Sequence, residues 1–169
     1  MQLKQQFTVN ASADRLWEIM GQDFAHVSHW ASSIHASQAR QTGIVPQGAS
    51  CSGRVCTTSM GEFKEQILKY DERKKMVAYD AKGDKMPFFV RQIENSWTFT
   101  PLPGNRCQVD MRMKISLLPV FNLFMGPMMR MQMGGVVNQV IEELTYFAEN
   151  GMPHPRKVDA QQKPQLKGA

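Results

Sequence analysis

Hydrophobic and polar residues alternate with a period of two through most of the chain. The pattern is cleanest over residues 106–116, where Cys107, Val109 and Met111 lie on one face and Arg106, Gln108 and Asp110 on the other. One dry and one wet face are typical of an antiparallel sheet that is covered on one side. Similar but weaker patterns occur in six other segments. The sequence therefore predicts seven strands, at residues 3–9, 34–42, 51–58, 62–70, 76–82, 88–100 and 106–116.

The pattern changes to helical spacing near the end of the chain. Between Pro119 and Asn150, apolar residues recur every three or four positions, which predicts one long helix across the dry face of the sheet. Pro127 and the pair Gly134–Gly135 interrupt this pattern, so the sequence leaves open whether the helix is continuous. Two shorter helices are expected after the first strand. Residues 1–151 therefore form one predicted domain, and the lysine- and glutamine-rich residues 152–169 are expected to be a flexible tail.

Composition and charge narrow the function classes. The 169 residues are 42% hydrophobic and 21% charged, with a net charge of +5 that is spread rather than gathered on one face, so nucleic-acid binding is not expected. The most apolar run, residues 115–129, contains two prolines and is shorter than the roughly 20 residues that span a bilayer. An odd number of cysteines and no export signal favour reduced thiols in a cytoplasmic protein without an integral membrane segment.

Several short strings, taken in order, resemble the START-like superfamily, also called SRPBCC or helix-grip. They are FTVNAS at 7–12, SGR at 52–54, EQIL at 65–68 and WTFTP at 97–101. The chain is most similar to the polyketide cyclase/dehydrase-type members. The resemblance implies an α+β fold, in which a seven-stranded antiparallel sheet wraps around a long C-terminal helix and encloses a cavity for an apolar molecule. It does not imply one activity, since members include carriers, cyclases and ring-hydroxylase subunits.

Strand parity indicates which side chains face that cavity. If the bulky Trp97 and Phe99 point inward, residues of the same parity join them, and the family pattern also turns Glu65 inward. The polar groups of an otherwise apolar site would be Glu65, Tyr79, Arg91 and Asn95. The complete predicted ligand-binding set is Phe63, Glu65, Ile67, Tyr79, Arg91, Asn95, Trp97, Phe99, Met111, Met113, Met125 and Met128.

Glu65 is the residue in this set with the most open role. It could contact a ligand, or form a structural ion pair with Arg91 or a lysine. It could also act as an acid or base in a cyclase or dehydratase, with Tyr79 or Arg91 polarising a carbonyl group of the substrate. No second titratable group can be paired with Glu65 from the sequence, so no catalytic residue is assigned.

The sequence predicts no metal site and no cofactor. Asp23, His26 and His29 are spaced by three residues, but nothing supplies a fourth ligand, and solvent-facing histidines are expected. Binding motifs for dinucleotides and phosphates are absent from the sequence.

Methionines are concentrated at the last strand and the start of the long helix. Their flexible thioethers suit either plain core filling or a pocket that adapts to different apolar ligands. A further reading has residues 117–129 as an exposed apolar segment that docks weakly on a membrane or a protein. The sequence as a whole predicts a protein that carries, sequesters or senses a small hydrophobic or amphipathic molecule, with a cyclase or dehydratase as the alternative.

Overall fold

A computed structural model describes residues 1–162, except for the side chains of residues 122–126. Seven antiparallel strands form one sheet in the order β1-β7-β6-β5-β4-β3-β2. This sheet and the long helix after it confirm the predicted α+β helix-grip architecture. The strands are β1 Gln2–Val9, β2 Ile34–Ala39, β3 Gly53–Thr58, β4 Gly61–Asp71, β5 Met76–Gly83, β6 Val90–Leu102 and β7 Arg106–Leu117.

A two-residue turn between β3 and β4 sets the register of the hairpin. Thr58 pairs with Gly61 across the turn, and the same register places Arg54 directly opposite Glu65. Gly53 allows the two backbones to approach closely, because a Cβ added there would lie 2.0 Å from the Glu65 carbonyl oxygen. The hairpin therefore brings a positive and a negative side chain together on its inner face.

Two short helical segments follow β1, as the sequence predicts. Helix α1 spans Ala13–Trp17, where the Ser12 hydroxyl accepts a hydrogen bond from the Arg15 backbone N–H at 3.1 Å. It continues as a π-helical turn over Glu18–Gln22, and a 3₁₀ helix covers Phe24–His29. Their apolar side chains are buried against the sheet, so they close one end of its inner face.

The long helix α2 spans Pro119–Asn150 and is continuous through Pro127 and Gly134–Gly135. It ends at Gly151, which adopts a left-handed conformation with a φ of 72°. The second half of α2 covers the sheet, with Val137, Leu144 and Ala148 buried in the core. Within the described residues, no helix combines the length and the apolar character needed to cross a lipid bilayer.

The residues after Gly151 differ from the expected flexible tail. Pro155–Gln162 form a third helix, α3, which follows α2 closely. Arg156 in α3 donates a hydrogen bond to Glu143 at 3.1 Å, and the Lys157 ammonium donates to the Ile34 carbonyl at 2.7 Å. The packing of this segment could not be predicted from its polar composition, because charged side chains rather than an apolar face join it to the domain. Residues 163–169 lie outside the described part of the chain.

Glu143 is the centre of this connection and is fully buried. The spacing of apolar residues along α2 predicts a position off the buried face. In the structure, however, its carboxylate accepts hydrogen bonds from the Ser32 backbone N–H at 2.7 Å and the Ser32 hydroxyl at 2.5 Å. The carboxylate is therefore accommodated by donors that face it from the segment before β2 and from α3.

Candidate functional site

A cavity of about 150 Å³ lies between the sheet and α2. Its walls are mostly apolar, and Arg54, Glu65, Tyr79 and Asn95 are the charged or strongly polar groups among them. A cavity of about this size in another protein is large enough to hold benzene. The complete lining is Met20, Val27, Trp30, Ala31, Ser33, Ile34, Arg54, Glu65, Tyr79, Asn95, Trp97, Met111, Met113, Val136, Val137 and Val140.

The sheet side of the cavity is built from two adjacent rows of cross-strand neighbours. Tyr79, Asn95 and Met113 lie opposite one another on β5, β6 and β7. Trp97 and Met111 form the next row. Because side chains alternate between the two faces of a strand, both rows point to the same side of the sheet. The regular register of β5, β6 and β7 therefore gives this wall a fixed geometry.

Glu65 forms an ion pair with Arg54, not with the predicted Arg91 or a lysine. The Arg54 Nε atom donates to Glu65 Oε2 at 2.5 Å, and both side chains are largely buried, with 5% and 13% of their surface exposed. Burial is the largest single effect on the pKa of Arg54 and would lower it, but the charge of Glu65, the neighbouring Tyr79 and Cys56, and the hydrogen bond to Glu65 together raise it. The pair thus brings two charges to the cavity wall with no net charge.

Arg54 is also held by contacts that do not involve charge pairing. Its Nη1 atom donates to the Phe24 carbonyl at 2.7 Å, and its guanidinium lies over the Phe24 ring at 4.1 Å from the centroid. The Tyr79 ring lies 5.3 Å from the guanidinium on the cavity side. These contacts fix the position of Arg54, so it is a structural part of the wall.

Tyr79 carries a neutral phenol at physiological pH. Burial, and secondly the negative charge of Glu65, raise the pKa of Tyr79 to about 12. A neutral phenol is both a donor and an acceptor, so Tyr79 can hydrogen-bond a polar group of a ligand. Cys56 lies in the same environment, where burial and then Glu65 raise the pKa of its thiol to about 12. The thiol is therefore protonated and unreactive at neutral pH.

Among the described residues, three buried side-chain atoms lack a hydrogen-bond partner: Trp17 Nε1, Asn95 Oδ1 and Trp97 Nε1. Asn95 and Trp97 both line the cavity. A buried polar atom without a partner costs about 1–3 kcal/mol relative to one that is hydrogen-bonded. The Trp97 N–H lies close enough to the Tyr79 hydroxyl to lower its pKa, so the Asn95 oxygen is the clearest unpaired atom in this part of the wall of the empty protein.

Six of the twelve predicted site residues line the cavity: Glu65, Tyr79, Asn95, Trp97, Met111 and Met113. Of the others, Ile67 and Phe99 are buried in the core beside it, and Phe63 is half-buried. Arg91 and Met128 are exposed, so the structure places both outside the cavity. Met125 lies outside the residues whose side chains the structure describes.

Arg91 points away from the cavity because the pairing of β6 with β7 is irregular at this point. The register shifts between Val90 and Gln92, and a shift of one residue reverses the direction of the side chains before it. Parity counted back from Trp97 is therefore valid as far as Ile93 and fails at Arg91. Met128 is exposed because it lies on the face of α2 that points away from the sheet.

Sequence reasoning missed Arg54, the short-helix residues and the inner face of α2. For Arg54 a partial signal was present, since the short break at residues 59–61 indicates a tight hairpin turn, and such a turn fixes which residues face each other. The contributions of Met20, Val27, Trp30 and Ala31 depend on how the short helices pack on the sheet. Sequence spacing gives no measure of that packing angle.

No metal centre is found among the residues that the structure describes, because no three potential ligands are close together. The Asp23 carboxylate lies 2.5 Å from His26 Nδ1, and the rings of His26 and His29 stack with centroids 5.1 Å apart. Both arrangements are local contacts within one segment, and none of Asp23, His26 and His29 lines the cavity.

Comparisons with known proteins agree with this architecture. The family described as "Polyketide cyclase / dehydrase and lipid transport" matches residues 1–149. A START superfamily protein from Mycobacterium smegmatis is similar with a TM-score of 0.72 and 16% identity, over 89% of this chain and 99% of that one. A norcoclaurine synthase from Thalictrum flavum, in complex with dopamine and hydroxybenzaldehyde, has a TM-score of 0.61 and 14% identity, over 87% and 85%. No curated protein matches the chain in sequence.

Proposed function

Because the chain belongs to the polyketide cyclase/dehydrase and lipid transport family, we propose that it binds a small, uncharged, largely apolar molecule in the cavity between sheet and helix. Its role would be to carry, sequester or sense that molecule. The observation that carries the proposal is the cavity of about 150 Å³, which is lined mainly by apolar and aromatic side chains with a few convergent polar groups. Such a composition favours ligands that are apolar over most of their surface and polar at one point.

The Arg54–Glu65 pair supports an uncharged ligand. Each side chain already has its counter-ion at 2.5 Å, so neither a carboxylate nor an ammonium group would find an unpaired partner there. Bringing an additional charge into this largely buried wall would cost desolvation free energy without compensation. A hydroxyl group, by contrast, could hydrogen-bond with Tyr79 or donate to the unpaired oxygen of Asn95, and a carbonyl group could accept from Tyr79.

The volume supports a ligand of about the size of one aromatic ring. Molecules with one aromatic ring are also bound by a protein of similar fold, the Thalictrum flavum norcoclaurine synthase, whose structure contains dopamine and hydroxybenzaldehyde. The identity to that protein is low, so the likeness concerns the fold and not the reaction.

The first test is native mass spectrometry of the protein purified from its own host, combined with calorimetric titration of phenol, benzene and benzoate. We expect a co-purifying small molecule, and phenol binding that exceeds benzoate binding. An Ala31→Leu variant fills part of the cavity and should abolish binding. The matched control is Ala148→Leu, which enlarges an equally buried alanine on α2 that does not line the cavity. Absence of any bound molecule in both experiments, or equal binding by Ala31→Leu, would overturn the proposal.

A cyclase or dehydratase is the alternative, since Glu65 and Tyr79 line the same cavity. The close contact of Arg54 with Glu65 favours binding instead, because it occupies one oxygen of the carboxylate that would have to transfer a proton. Glu65→Gln separates the two. For a binding protein, ligand affinity should fall by no more than about 1.5–3 kcal/mol, the value of a hydrogen bond to a charged group. For an enzyme, product formation from a polyketide-like substrate should be lost, while the variant still binds it.

A further inference from the structure

The start of α2 and the loop between β5 and β6 expose an unusual number of large apolar side chains. Phe88 and Met131 are 76% and 78% exposed, and Val120 and Met128 are more than half exposed. We call this surface the apolar rim and define it as Phe88, Phe89, Val120, Phe121, Met128 and Met131. Exposed apolar side chains that are gathered in one place mark interaction surfaces more often than scattered ones do.

The apolar rim is ordered by its own contacts. The Phe89 and Phe121 rings stack with centroids 4.8 Å apart, and Phe88 meets Phe121 edge-on at 5.4 Å. The Leu118 backbone N–H donates to the Phe89 carbonyl at 2.9 Å, which ties the loop to the start of the helix. With about 100° of rotation per residue, Val120, Phe121, Met128 and Met131 fall within an arc of roughly 100° on α2. The described rim side chains of α2 therefore share one face of the helix, with aromatic rings at its start.

The charge around the apolar rim is positive. The sequence has no aspartate or glutamate between Pro119 and Ile141. On the loop side, Lys82, Lys85 and Arg91 are exposed, and Asp84 is the one acidic residue between positions 82 and 91. Cations beside an apolar strip with aromatic side chains are the combination that binds the surface of anionic membranes.

We propose that the apolar rim docks on an anionic phospholipid bilayer, with Phe88 and the exposed face of α2 inserted at the level of the head groups. A second copy of the chain fits less well, because a symmetric contact through this surface would bring the same lysines and arginines of both copies together. The proposal does not depend on the identity of the cavity ligand. Docking through the apolar rim would also bring the cavity close to the membrane. The cavity residue Val136 is half-exposed on α2, only five positions beyond Met131.

The test is flotation of the full chain with vesicles of phosphatidylcholine alone and of phosphatidylcholine with phosphatidylserine, at low and at physiological salt. The rim variant is Phe88→Ser with Met131→Gln. The matched control is Ile44→Ser with Val45→Ser, which removes two equally exposed apolar side chains from the loop between β2 and β3. That loop approaches Tyr70 at the end of β4, whereas Lys85 lies beside Gly61 at its start, so the two surfaces are at opposite ends of the strand.

We expect the wild type and the control to float with phosphatidylserine vesicles and the rim variant to bind at least tenfold more weakly, as the loss of one inserted phenylalanine implies. Lys85→Gln with Arg91→Gln should weaken binding to anionic vesicles by roughly tenfold or more and leave binding to neutral vesicles unchanged. No flotation of the wild type, or equal loss in the rim variant and the control, would refute the proposal. Sedimentation velocity that shows a dimer lost in the rim variant would instead assign the surface to a second copy.

Discussion

The ion pair between Arg54 and Glu65 gives the sharpest prediction for stability. Replacing Arg54 by Met keeps an apolar stem of similar length but removes the counter-ion of a carboxylate that is 13% exposed. It also leaves the Phe24 carbonyl without its donor and removes the guanidinium from the face of the Phe24 ring. Breaking a buried pair from one side costs about 3–5 kcal/mol, and the orphaned carbonyl and lost ring contact place Arg54→Met at the upper end of this range.

A double-mutant cycle isolates the charge pairing within that loss. In Arg54→Met with Glu65→Gln the uncompensated charge is gone, so we expect a recovery of about 2 kcal/mol relative to Arg54→Met alone. The control cycle uses Arg15→Met and Glu18→Gln, an ion pair of 2.8 Å whose side chains are 34% and 56% exposed. Solvent screening should limit the coupling there to less than about 1 kcal/mol.

Urea unfolding at pH 7, followed by far-ultraviolet circular dichroism, measures both cycles under the same conditions. The slope of each transition shows whether the variants still unfold in one step. If the coupling between positions 54 and 65 is no larger than that between positions 15 and 18, the buried pair does not stabilise the inner face of the hairpin as we argue. A small loss for Arg54→Met alone would also contradict the reasoning.

Three further results are expected. Glu143→Gln should lower the free energy of unfolding by about 3 kcal/mol in the same urea assay, because it removes a fully buried charge from its donors; a loss below about 1 kcal/mol would contradict this. The pKa values of Tyr79 and Cys56 are both raised to about 12, so the stability that they contribute is complete below about pH 9 and is lost as the pH rises to about 12. The phenolate absorption that is missing in Tyr79→Phe should appear only near pH 12, and its appearance near pH 10 would refute the assignment. Asn95→Leu should stabilise the empty protein by about 1 kcal/mol in thermal melts while weakening phenol binding, and a destabilised variant would show that the amide is satisfied after all.

The fold could be predicted from the sequence because the strand-like and the helix-like spacings of apolar residues occupy separate parts of the chain. Alternation in β7 and helical spacing in α2 each extend over many residues, and the two patterns meet at Pro119. Strand parity then located six of the sixteen residues that line the cavity, since positions such as Asn95, Trp97 and Met111 follow from alternation alone. At these positions the local alternation and the tertiary packing both place the side chain on the inner face of the sheet.

The parts of the site that the sequence did not reveal depend on contacts between distant residues. Glu65 received the wrong partner because Arg54 becomes its neighbour only when the hairpin register is worked out residue by residue. Arg91 was misplaced by one irregular pairing, and Glu143 was placed off the buried face by the spacing of the apolar residues along α2. In each case the residue lies where a single long-range contact overrides the local preference.

The packing of α3 has a practical consequence for how the protein can be shortened. A version that stopped at residue 149, where the family match ends, would lack Arg156 and Lys157. Removing Lys157 would release the Ile34 carbonyl, and with it the edge of the cavity at Ser33 and Ile34. A chain trimmed at residue 149 is thus expected to admit ligands less selectively than one that retains α3, and protein prepared for ligand discovery should extend at least to Gln162.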